Sequence, residues 1–88
     1  MKKIVSVTGA EGEGLESLLG ERVMLICLNY IYSGVLSGVN ESCVLLMEPS
    51  IVYETGPWSD KAWKDSQRLP CANLYVQRGA IESFGVGK

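Results

Sequence analysis

With 88 residues the chain forms one domain, and a chain of this size buries only about 60% of the surface its unfolded form exposes. It is nevertheless 47% hydrophobic, so either some strands bury both faces or apolar surface meets another chain. The net charge of −2 excludes a global basic field for nucleic acid, and the absence of histidine removes the commonest general base near neutrality and the usual zinc ligand.

Met1-Lys2-Lys3 has the charge of a secretory leader, but residues 4–7 are too few for its apolar region. No run approaches the length of about 18 apolar residues that a membrane helix needs, so a soluble chain without membrane contact is expected. Residues 4–7 read as a short extra strand or an arm, and residues 9–14 as a flexible connector. The three glycines there lack the Gly-Lys-Ser/Thr ending of a phosphate loop, and Glu11 and Glu13 would repel phosphate. Residues 1–14 are thus expected to be an arm and linker, and residues 15–85 the folded domain.

Residues 15–19 predict one or two helical turns, with Leu15, Leu18 and Leu19 on one side and Gly20 as the stop. Strands are expected at 23–28, 31–39 and 43–53, with turns at Asn29-Tyr30 and Asn40-Glu41-Ser42. Gly34 inside an apolar strand marks a bend or a close backbone approach, and Pro49 an interruption of pairing, an edge or a bulge. Residues 55–71 form a polar insert bracketed by Pro57 and Pro70, with a short helix at 59–67 capped by Ser59. The last strands, 73–77 and 80–84, are expected as a hairpin around Arg78-Gly79, followed by a frayed tail at 85–88.

Cys27, Cys43 and Cys71 are odd in number and form no CxxC pair, which predicts free thiols, no metal site and a reducing, cytoplasmic setting. No serine or cysteine sits in a nucleophile motif, and Glu48 and Glu54 have no partner carboxylate at a telling spacing. An enzyme is therefore not expected, nor a cofactor. No Lys or Arg occurs between Arg22 and Lys61, whereas Lys61, Lys64, Arg68 and Arg78 follow closely. Trp58 and Trp63 lie among Lys61 and Lys64, a mixture of stacking surfaces and cations suited to single-stranded nucleic acid. The competing reading has both tryptophans packing the insert onto the domain or a neighbouring subunit.

In this order the motifs resemble the Sm-like (Sm/LSm/Hfq) family over residues 15–85, interrupted by the insert. The first motif reads Gly34-x-Leu36, then Val39-Asn40-Glu41-Ser42-Cys43-Val44-Leu45-Leu46, and the second Tyr75-Val76-Gln77-Arg78-Gly79-Ala80-Ile81. The resemblance implies an all-β fold with a short N-terminal helix on a strongly bent five-stranded small β-barrel of SH3-like type. It also implies a closed homo-oligomeric ring in which the fourth strand pairs with the fifth of a neighbour; about five to eight copies are compatible with such a rotation. Tyr75, Val76, Ile81 and Phe84 are the expected seam residues. Uracil- or adenine-rich single-stranded RNA would bind near the pore, between two loops.

Carried over by position, the family's acidic residue falls on Asn40, its stacking position on Ser42, its base-reading asparagine on Val44, and its Arg-Gly on Arg78 and Gly79. Gln77 replaces the apolar residue before Arg-Gly and could contact a base. Ser42 has no ring to stack, and Val44 no polar group to read a base edge. Two functions follow as expectations: a ring that binds RNA as a chaperone or ribonucleoprotein scaffold, or a structural or protein-interaction ring with a degraded RNA pocket.

Overall fold

Apolar alternation punctuated by turn residues becomes sheet nearly throughout the computed structural model, which describes residues 14–88. The expected strand or arm at 4–7 and all of the connector but Gly14 lie outside the described residues. The chain enters through a 3₁₀ turn, Leu15–Leu18, and continues as β1 (Arg22–Cys27), β2 (Ile31–Val39) and β3 (Cys43–Glu54). Then come β4 (Asp65–Arg68), β5 (Asn73–Gln77), a second 3₁₀ turn at Arg78–Ala80, and β6 (Ile81–Val86). All pairings are antiparallel, in the order β4-β3-β2-β1-β6, with β5 also paired to β3. Among the described residues no helix is long and apolar enough to cross a membrane.

Inward positions supply the core. Val23 and Leu25 of β1, Leu36 of β2, Val44 and Leu46 of β3 and Val76 of β5 are buried together with Leu15. Leu18 packs against this cluster from the entry turn, whereas Leu19 stays half exposed. Gly20, at φ 88°, then redirects the chain in a conformation that side chains rarely adopt.

Gly34 makes the close approach its position suggests: a Cβ there would stand 2.9 Å from the Met47 carbonyl oxygen. The β2–β3 register shifts at this point, from Ser33 opposite Ser50 to Val35 opposite Met47. Glu48, at φ 52°, and Pro49 occupy the extra length as a bulge. The bulge divides β3 in two. Its first half pairs with β5, from Cys43–Gln77 to Met47–Asn73, and its second half pairs with β4, from Ser50–Arg68 to Glu54–Asp65.

Four expectations are corrected. The five-stranded barrel is instead a six-stranded sheet that does not close. Arg78–Ala80 joins β5, on β3, to β6, on β1, so a three-residue link connects opposite margins and the sheet must curl; yet no ladder joins β5 to β6. For the same reason Arg78-Gly79 is not the turn of a hairpin. The insert helix at 59–67 is absent as well, and Asp65–Arg68 forms a strand. An isolated helix of two turns is marginal, while the second half of β3 offers unsatisfied ladder groups. Finally, Gly85 and Val86 are not frayed: they pair with Met24 and Val23.

Candidate functional site

The turn between β2 and β3 is built by Asn40. Its Oδ1 accepts the backbone N–H groups of Ser42 at 2.7 Å and Cys43 at 2.8 Å, and its own N–H donates to the Cys43 carbonyl at 3.0 Å. The second 3₁₀ turn docks directly on this loop, through the Arg78 N–H to the Ser42 carbonyl at 2.9 Å. The Arg78 guanidinium donates to the Asn40 carbonyl at 2.8 Å and pairs with the Glu16 carboxylate at 3.2 Å. Gln77 lies beside them, opposite Cys43 in the β3–β5 ladder. A Cβ at Gly79 would meet no atom within 4 Å, so neither space nor a left-handed backbone demands glycine there.

Asn40, Ser42, Gln77, Arg78 and Gly79 therefore form one cluster of loops. Asn40 spends its carbonyl side-chain oxygen inside the turn, and Val44 is fully buried in the core, facing no solvent. Arg78 is anchored but still has capacity, since two of its five N–H donors are engaged by these contacts. Glu16 was not legible as a site residue; it lies 62 positions from Arg78, with no local pattern linking them. Its carboxyl is held below the usual value of 4.5, chiefly by its own backbone N–H; desolvation opposes this, and Arg78 adds two lesser contributions that lower it.

Large apolar side chains of β5 and β6 are among those exposed on the sheet. Tyr75 is 68% exposed, Val86 55% and Phe84 43%. Val76 instead belongs to the buried core and Ile81 packs against it. A cleft of about 250 Å³ opens beside β5, lined by Tyr30, Tyr32, Leu74, Tyr75 and Cys27 among others. Burial pushes the Cys27 thiol above its ordinary value, and burial, followed by the neighbouring Cys27, Tyr30 and Tyr53, does the same to the Tyr32 hydroxyl.

In the insert, Lys64 pairs with Glu54 at 3.3 Å and Arg68 with Glu48 at 3.8 Å, both on the surface, so the basic cluster is partly offset. Lys61 is exposed. Trp58 and Trp63 meet edge to face, with centroids 5.8 Å apart, and the Lys88 ammonium lies over both rings. The indole N–H of Trp63 is buried without a protein partner. Lys88 was missed because the sequence gives no signal joining it to a segment some 25 residues earlier. Among the described residues no cluster of three or more His, Cys, Asp or Glu could hold a metal.

No protein-family model matches this chain, and no curated protein or solved structure matches it either.

Proposed function

We propose that this protein is an Sm-like module that assembles into a homo-oligomeric ring by pairing the β5 edge of one copy with the β6 edge of the next. One observation carries the reading: among the described residues β5 and β6 each keep one edge without a ladder, at opposite margins of a single curled sheet and three residues apart in the chain. Unpaired strand edges recruit other strands, and a head-to-tail contact repeated by rotation closes into a ring. The exposed Tyr75, Phe84 and Val86 supply apolar area beside these edges.

The loop cluster is the surface on which such a ring would meet single-stranded RNA. Convergence of Asn40, Ser42, Gln77 and Arg78 supports this, because Arg78 keeps free donors for phosphate or a base edge. The alternative, a structural or protein-interaction ring, draws support from the burial of Val44 and the partial neutralisation of Arg78 by Glu16. Fluorescence anisotropy with oligo-uridine and oligo-adenine across salt concentrations separates the two. The RNA reading expects salt-sensitive binding that weakens in Arg78→Ala and strengthens in Glu16→Gln, which releases the guanidinium. Absence of binding to both homopolymers at low salt would leave the assembly platform.

A further inference from the structure

The insert and the residues following β6 build a seat for a cation. The rings of Trp58 and Trp63 stand at 81° to one another, and the Lys88 Nζ lies 4.3 Å from the Trp63 centroid and 5.5 Å from that of Trp58. Both distances fall within the range of about 6 Å at which an indole face attracts a cation. The ammonium also donates to the Pro57 carbonyl at 3.3 Å, an oxygen that accepts the Asp60 N–H at 3.0 Å as well.

The main chain of Lys88 is held independently of its side chain. Its carbonyl accepts from Ser33 Oγ at 3.2 Å and from Arg22 Nε at 3.1 Å, and the Gly87 N–H donates to the Arg22 carbonyl at 3.1 Å. Shortening the Lys88 side chain would empty the corner without releasing the segment that carries it.

We propose that Trp58, Trp63 and the Pro57 carbonyl form a receptor for primary alkylammonium groups, occupied in this chain by its own Lys88. Near-perpendicular rings make a corner that suits a compact cation, whereas a flat nucleobase stacks on an open face or between parallel ones. The carbonyl acceptor requires an N–H, so a primary ammonium is preferred over a quaternary one. Such a group comes from a lysine side chain or from the end of a polyamine. The site is separate from the loop cluster and stands whether or not copies assemble.

The test uses intrinsic tryptophan fluorescence of the full chain, titrated with n-butylammonium and tetramethylammonium. Lys88→Ala should bind n-butylammonium roughly tenfold more tightly than the native protein, as expected when an internal cation–π competitor is removed. Lys88→Met, which refills the corner with an uncharged chain, should remain as insensitive as the native protein. In Lys88→Ala, tetramethylammonium should bind more weakly than n-butylammonium. Adding Trp58→Ala should abolish the response; Trp58 is exposed enough that its loss spares the core, which circular dichroism verifies. Nα-acetyl-lysine amide and putrescine then distinguish the two sources, the tighter ligand assigning the natural one. No saturable response in Lys88→Ala, or a response unchanged by Trp58→Ala, would overturn the proposal.

Discussion

Gly34→Ala probes the place where two strands come closest. The new methyl would meet the Met47 carbonyl oxygen at 2.9 Å, the Leu46 Cβ at 3.2 Å and the Pro49 Cα at 3.4 Å. None of these is the far end of a flexible side chain, so relief requires β2 and β3 to part at the bulge. Overpacking of this kind costs about 1–3 kcal/mol, of which a gain of about 0.4–1 kcal/mol from a less flexible unfolded chain returns a part. In a domain of this size each kcal/mol lowers Tm by about 4–8 °C, so the central net cost, about 1.3 kcal/mol, corresponds to a fall of roughly 5–10 °C. Thermal unfolding followed by circular dichroism at fixed protein concentration measures it, since the proposed assembly would make Tm concentration-dependent. Gly38→Ala is the control: its nearest contact is 3.4 Å, an ordinary distance in the same strand. A Gly34→Ala melt matching the native one, or equal damage from Gly38→Ala, would refute the close-approach argument.

Asn40→Ala removes two side-chain acceptor bonds from the β2–β3 turn and should cost about 1–2 kcal/mol in urea unfolding; Asn40→Asp, which keeps the acceptor, should recover most of it. The Glu16 carboxyl should titrate below 4.5 when followed by NMR. Because its folded-state value is lowered, the associated stability is present above the unfolded carboxyl value and is lost as pH falls through the folded one. Glu16→Gln should therefore flatten the acid limb of the stability profile, and a Glu16 midpoint at or above 4.5 would contradict the backbone N–H contact that chiefly holds the carboxylate, together with its pairing to Arg78. Exposed Cys71 should react with a disulfide reagent near neutral pH well ahead of Cys27, whose thiol burial holds protonated. Equal rates would show that Cys27 is more accessible than its packing implies.

What the sequence makes legible is local. Gly34 announces a bend or a close approach because a glycine adds no packing to an apolar strand, and Leu15 and Leu18 announce their docking through spacing. The first three strands follow from alternation between turn residues. The insert misleads because Ser59 offers a helix cap, while the competing partner of Asp65–Arg68 is the second half of β3, a non-local ladder. Arg78-Gly79 misleads similarly. Short links between strands usually mean hairpins, but here β3 and β1 already present edges that draw β5 and β6 apart. In the candidate site, motif spacing brings out Asn40, Ser42 and Arg78, whereas Glu16 there, and Lys88 at the insert, act through long-range contacts that leave no periodic trace.

The central claim is that the β5 and β6 margins are completed by neighbouring copies. Sedimentation velocity at micromolar concentration tests it most directly, with Phe84→Lys as a variant that charges the β6 rim. The account predicts a closed particle several times the 9.6 kDa chain mass, dissociating in Phe84→Lys; native protein sedimenting as single 9.6 kDa particles would contradict it.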